Sequence, residues 1–439
     1  MKTQSNAIVI GGGMAGMFAA RVLSEHFADV LIVDRDSEQV TAQPRPTVPQ
    51  GNHFHALLPG GLDAMSSWFP GFTDDLVNAG SIPMTVGRDF VAYTPQGKSY
   101  SLQSHITEPA DHGTMYVQTR PLLEHCVRNR VRTVSNIRFR HDTIVEGPVT
   151  DGGRVRGVKI RGDNALRADL VVDASGRNSV SARWLQDLDY DPAPETYVNC
   201  DVHYASVMVT PENWDAFEHV VFFVVPSGVG EFGSRVGAVV KLDGGRWLVS
   251  LGGRYGDAPP TEWGAFREFG RTLPFPIWDE LVATCTPLES IKTYHLPRAV
   301  RRHYEQLDRY PDGLLPIGDS ICYFNPTHGQ GMSSAAGQCK GLAQLLTDRA
   351  IAGGNLEGLA KDFFPIAADW VRGPWILAAV GDFENPACTG DFPMDDLPDL
   401  IRLGELSAAS ATDPVLLEFV VAVATLKLPL SAVRTMQTV

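Results

Sequence analysis

The apolar run Ala7-Ile8-Val9-Ile10 stops on Gly11-Gly12-Gly13-Met14-Ala15-Gly16, and a helical pattern from Met17 to Phe27 follows at once. Glycines at the first, third and sixth positions of a turn between strand and helix are the spacing that brings a dinucleotide pyrophosphate onto a helix N-terminus. Gly11 allows the tight turn, Gly13 lets the backbone approach the phosphates, and Gly16 lets helix and strand pack closely. A second apolar strand, Val30-Leu31-Ile32-Val33, ends on Asp34, where an acidic residue takes a ribose hydroxyl and favours an unphosphorylated ribose.

With 439 residues the chain exceeds what one hydrophobic core serves, which predicts at least two domains. The formal charge of −14 argues against nucleic acid or an anionic membrane as partner, since both attract Lys/Arg-rich surfaces. The cysteines Cys126, Cys200, Cys285, Cys322, Cys339 and Cys388 are scattered, with no C-x-x-C pair. Neither a disulfide framework nor a metal site is expected, and a reducing cytoplasm fits. No apolar signal region precedes the first strand and no membrane span is expected, the nearest approach, Val415 to Leu428, being interrupted by Glu418 and Lys427.

Downstream, Gln43-Pro44-Arg45-Pro46-Thr47-Val48-Pro49-Gln50 is held extended by its prolines. His53 and His55 stand at i and i+2, on opposite sides of an extended segment, and read as structural. Short strands between Thr85 and Gln118 suggest an insertion, after which Arg120-Pro121 opens a helix ending near Val131, with Arg120 placed to meet a phosphate. A buried strand ends at Asp173-Ala174-Ser175-Gly176-Arg177. From Tyr197 to Leu251 strands follow one another without helices, including a hairpin across Asp243-Gly244-Gly245-Arg246, which predicts a separate inserted sheet. An apolar strand then closes on Gly318-Asp319, and Pro326-Thr327-His328-Gly329-Gln330-Gly331-Met332 opens a helix to about Arg349, whose amides face an electron-rich or anionic ligand edge.

These segments together resemble the FAD-dependent monooxygenases of the para-hydroxybenzoate hydroxylase superfamily over roughly residues 5 to 350, through three motifs in order: the glycine turn with Asp34, Asp173-Ala174-Ser175-Gly176-Arg177, and Gly318-Asp319. The middle motif departs from the family's Asp-Gly. Within the superfamily the chain resembles the flavin epoxidases of bacterial polyether biosynthesis, themselves similar to squalene epoxidase, through Asp34-Arg35-Asp36, Val48-Pro49-Gln50 with His53 and His55, Asn325-Pro326, and Asp369-Trp370 through Asn385-Pro386. The W-x-W-x-I-P signature of tryptophan halogenases is missing.

The resemblance implies an α/β fold: a Rossmann-like FAD-binding domain of glutathione reductase type, an inserted mostly antiparallel β-sheet substrate domain and a C-terminal helical region. The corresponding divisions are 1–84, 118–190 and 291–370 for the FAD-binding domain, 85–117 and 191–290 for the substrate domain, and 371–439 for the helical region. It assigns non-covalent FAD to Gly11, Gly13, Met14, Ala15, Gly16, Asp34, Arg35, Arg45, Val48, Pro49, Gln50, Arg120, Ala174, Gly176, Gly318, Asp319, Pro326, Gly329, Gly331 and Met332. Phe222, Phe223, Val225, Trp247, Trp375 and Phe383 are the expected substrate pocket.

The implied reaction is epoxidation or hydroxylation of an apolar polyketide, terpenoid or prenylated aromatic by a flavin hydroperoxide, with O2 as co-substrate. Only one dinucleotide fingerprint is present, so electrons come from NAD(P)H docking transiently or from a flavin reductase. No side-chain nucleophile is needed and no catalytic residue is assigned; Asp382, His53 and Tyr323 read as structural. The alternatives are an FAD-dependent reductase or dehydrogenase of a carbon–carbon double bond, and a flavin-binding protein without catalysis.

Overall fold

A computed structural model describes residues 5–85, 87–94, 97–99, 113–212, 217–224, 233–410 and 413–436. The strands Asn6–Ile10 and Asp29–Val33 lie side by side in a five-stranded parallel sheet, flanked by Ile137–Arg140 beyond the second and by Leu170–Asp173 and Leu314–Pro316 beyond the first. Helices cover this sheet, so its strands are apolar on both faces rather than alternating; Ala7, Ile8, Val9 and Ile10 are all buried. Gly11 leaves the first strand at φ +102°, a left-handed conformation that side chains rarely adopt.

The helix after the turn spans Met14–Leu23, beginning three residues before the point expected from the apolar pattern. Gly13 is its extended N-cap, so Gly16 lies inside the first turn. There a Cβ would come within 1.9 Å of the Gly11 carbonyl.

The inserted sheet has eight strands, ordered Thr286–Pro287, Val202–Thr210, Arg246–Arg254, Val236–Leu242, Val221–Val224, Phe90–Thr94 and Gly97–Ser99, with Lys292–Leu296 also paired to Val202–Thr210. All its pairs are antiparallel except Val221–Val224 with Phe90–Thr94. The strands at 90–99 therefore belong to this sheet although more than a hundred residues separate them from its body. The sheet also extends to Leu296, six residues past the expected boundary at 290. The helix Leu359–Phe383 runs unbroken through the boundary expected at 370, carrying both Pro365 and Pro374. No helix among the described residues is long and apolar enough to cross a membrane.

Candidate functional site

A cavity of about 1580 Å³ opens where the two sheets meet. Its floor is the C-terminal edge of the parallel sheet, where open α/β sheets bind ligands. Gly11, Gly13, Met14 and Ala15 line it from the glycine turn, with Arg35, Arg45, Val48, Pro49, Gln50 and Arg120 beside them. Ala174 and Gly176 come from the middle motif, and Asp319, Pro326, Gly329, Gly331 and Met332 from the late one.

The glycines divide by what each would meet. Gly11 and Gly16 are required by the fold itself, since a Cβ at either would strike backbone. Gly318, at φ +64°, does not line the cavity; a Cβ there would fall 2.7 Å from that of Ala15, so it serves helix packing. Gly13 is different, because a Cβ there would meet only Arg45 Nη2 at 3.6 Å, and one at Gly331 would meet nothing within 4 Å. These two positions leave room at the cavity for a ligand the size of a dinucleotide, beside the N-termini of the helices Met14–Leu23 and Gly331–Ile351.

Asp34 lies buried, and its carboxylate accepts hydrogen bonds from Gly12 N at 3.2 Å and Arg45 Nη1 at 3.0 Å. Arg45 also pairs with Asp36 at 2.9 Å and Glu124 at 2.7 Å. Glu124 holds Arg120 and Arg128 as well, at 3.4 and 3.0 Å, and Arg128 donates to the Gly12 carbonyl at 2.8 Å. The acid that organises this cluster was absent from the sequence expectation, although Arg120, Glu124 and Arg128 show the i, i+4 spacing of one helix face. Arg120 Nε remains buried with no hydrogen-bond partner, a donor beside a cavity that Arg120 itself lines. Burial raises the Asp319 carboxyl above the usual carboxylate range, an effect opposed by Arg120, Arg177 and Arg302.

Asp173 faces inward, fully buried. It accepts from Ser175 N and Oγ, Ser179 Oγ, Ser181 N and Ser320 Oγ, tying the middle motif to the Gly318-Asp319 turn. The Ala174-Ser175 pair between Asp173 and Gly176 supplies the Ser175 hydroxyl to that knot.

On the far side of the cavity stand Phe223, Val236, Ala238 and Leu296, with Tyr204, Tyr294 and Ser250. Phe223 is where the sequence placed it, but Phe222, one residue earlier, points to the opposite face and packs in the sheet's other core with Trp247. Trp375 is core beneath the parallel sheet, and Phe383 packs edge-on to Phe392; neither lines the cavity among the described residues. Val225 lies outside the described residues. Tyr204 and Tyr294 escaped sequence reasoning because only the register of Val202–Thr210 on Lys292–Leu296 brings them opposite each other. His53 Nδ1 bonds Ser206 Oγ at 2.7 Å, which bonds Ser250 Oγ at 2.6 Å, giving the wall a polar chain beside the phenols of Tyr204 and Tyr294. Burial lowers the His53 pKa to about 4, so its ring is neutral near pH 7.

Comparison with known proteins agrees with this geometry. The family described as "FAD binding domain" matches residues 4–353. The protein Rv3254 of Mycobacterium tuberculosis is 29% identical over 434 residues, covering 95% of this chain and 88% of that protein. Kynurenine 3-monooxygenase of Salinispora arenicola is 24% identical over 401 residues, covering 84% and 79% of the two chains. The crystal structure of p-nitrophenol 4-monooxygenase PnpA from Pseudomonas putida superposes with a TM-score of 0.64 at 18% identity, covering 97% of this chain and 99% of that one, and shares the fold.

Proposed function

The chain belongs to the FAD-binding-domain family, and from that premise we propose that it is an FAD-dependent monooxygenase that transfers one atom of dioxygen to an apolar small molecule. The observation that carries this reading is the single continuous cavity of about 1580 Å³ between the glycine turn and the inserted sheet. Pockets for one drug-sized ligand measure roughly 300–1,000 Å³, so the space suits a cofactor and a substrate side by side. Sequence relatedness to kynurenine 3-monooxygenase supports oxygen transfer.

FAD, held non-covalently, would supply the two-electron redox chemistry and dioxygen activation that side chains lack. The residues that fit it are the glycine turn, Arg45 and Val48 to Gln50, Arg120, Asp319 and the Pro326–Met332 segment. The amides of Gly331 and Met332, at a helix N-terminus, favour negative charge on the ligand edge they meet. Arg120 adds a buried cation, with Glu124 fixing its guanidinium. The apolar wall excludes water from the substrate, while the Ser250–Ser206–His53 chain orients one polar group of it. Electrons come from NAD(P)H or a separate reductase. The finer reading is epoxidation or hydroxylation of a polyketide, terpenoid or prenylated aromatic, in keeping with Phe223, Val236 and Leu296 along the wall.

Incubation of the holoprotein with NAD(P)H, a flavin reductase and a panel of apolar alkenes and aromatics under ¹⁸O₂ tests the proposal. One ¹⁸O per product, with substrate-dependent oxygen uptake, is expected. Saturation of a double bond without oxygen uptake would replace it with a reductase.

A further inference from the structure

The face of the inserted sheet turned away from the cavity carries a second cluster of chemically capable side chains. Strand register sets His203 directly opposite His295, just as it sets Tyr204 opposite Tyr294. Because side chains alternate along a strand, the tyrosines line the cavity and the histidines stand on the other face. Their imidazoles stack with centroids 4.1 Å apart and planes 8° from parallel.

Asp201, just before the strand, completes the group. One oxygen, Oδ1, lies 2.7 Å from His295 Nε2 and 3.4 Å from His203 Nε2. All three residues offer a ligand atom within 4.8 Å of the others. Asp201 adopts φ +39°, an uncommon conformation for a residue with a side chain. Its backbone is held there from both sides: its N–H donates to the Pro297 carbonyl at 3.0 Å, and its carbonyl accepts from Tyr255 N at 3.2 Å. The carboxylate is thus preset beside the two rings rather than free to turn into solvent.

We propose that Asp201, His203 and His295 form a binding site for a divalent transition ion of the Zn²⁺ class, on the outer face of the substrate sheet. Two imidazole nitrogens and one carboxylate oxygen are borderline-to-hard donors suited to Zn²⁺. Tetrahedral Zn²⁺ with ligands at roughly 2.0–2.1 Å places them about 3.3–3.5 Å from one another; the donors already lie within 4.8 Å, and the two stacked rings would have to turn toward each other's edge to converge on one ion. The side chains are 25–48% exposed, which leaves the fourth position to water.

The site has a structural consequence. Lys292–Leu296 pairs only with Val202–Thr210 among the described residues. An ion bridging His203 and His295 would pin this strand, and with it Tyr294 and Leu296 in the cavity wall. The separation of residue 295 from residues 201 and 203 conceals the group in the sequence.

Calorimetric titration of tag-free, EDTA-treated holoprotein with Zn²⁺ tests the assignment. One equivalent should bind, and His203→Ala or His295→Ala should weaken it at least about tenfold with flavin content unchanged. Zn²⁺ should also raise the melting temperature of the wild type and of neither variant. Asp201→Asn, which preserves side-chain shape, should weaken binding too. Absence of saturable binding, or equal affinity in wild type and variants, would overturn the proposal while leaving the cofactor reading intact.

Discussion

Gly13 and Gly16 occupy the same motif but answer to different demands. Gly16 is needed by the protein alone, since its Cβ would fall 1.9 Å from the Gly11 carbonyl. Gly13 has an ordinary extended φ of −78° and open space beyond its α-carbon, so only a bound ligand makes it indispensable. Gly13→Val should therefore yield folded protein with native circular dichroism and little or no flavin absorbance. Gly16→Val should fail to accumulate as folded protein, because backbone cannot yield as a flexible side chain can. If Gly13→Val kept its full yellow colour, the placement of the pyrophosphate against this turn would be wrong. The spacing of the motif assigned the two residues different duties, backbone approach for Gly13 and helix–strand packing for Gly16; what surrounds each Cβ agrees with that division. Asp34 marks the opposite limit. Its position after the second strand was evident, but its pairing with Arg45 depends on a Pro-rich segment whose path no local pattern specifies.

At the level of elements, the cofactor-side loop is tied to two distant parts of the chain through one carboxylate. Asp382, 1% exposed near the end of the helix Leu359–Phe383, accepts from Arg254 Nη1 at 2.7 Å and from Asn325 Nδ2 at 2.6 Å. Arg254 ends a central strand of the inserted sheet, and Asn325 immediately precedes Pro326 in the cavity lining. Removing one partner of a buried pair strands the other charge, at a cost of about 3–5 kcal/mol. Asp382→Ala should lower the chemical denaturation midpoint accordingly and weaken FAD binding through the loosened loop. Asp382→Ala combined with Arg254→Met should be less destabilised than the sum of the single variants, as a double-mutant cycle would register; strict additivity would mean the pair is not coupled. Sequence alternation revealed the strands and the inserted character of their sheet, because each is a local pattern. The family resemblance placed 85–117 in the same domain as that sheet, but local pattern did not reveal that 292–296 completes it, or that Trp247 and Trp375 are core, since these follow from long-range pairing and from which face of an element meets another.

For the molecule as a whole, the cavity sets how stability responds to pH. His53, His55 and His328 are all lowered from their ordinary pKa, to about 4, 3 and 4, with burial the largest cause in each case. Arg120 adds to the effect on His55 and Arg254 to that on His328. A folded state that resists protonation competes with an unfolded chain whose histidines take up protons near pH 6.5. Between that value and about pH 4 the unfolded state binds more protons, so stability rises with pH across this window. The contribution is complete above pH 6.5 and is lost as the pH falls toward 4. For buried His53 the full loss amounts to about 3 kcal/mol, of which about 2 kcal/mol is gone by pH 5. The melting temperature of the FAD-loaded protein should therefore drop by several degrees between pH 7.5 and 5, with part of the flavin released. In His53→Gln, which keeps a polar group toward Ser206 but cannot titrate, the drop should be shallower. An unchanged slope in that variant would move the acid sensitivity to the other two histidines, and a flat profile in the wild type would show that all three accept protons in the folded state as readily as in water.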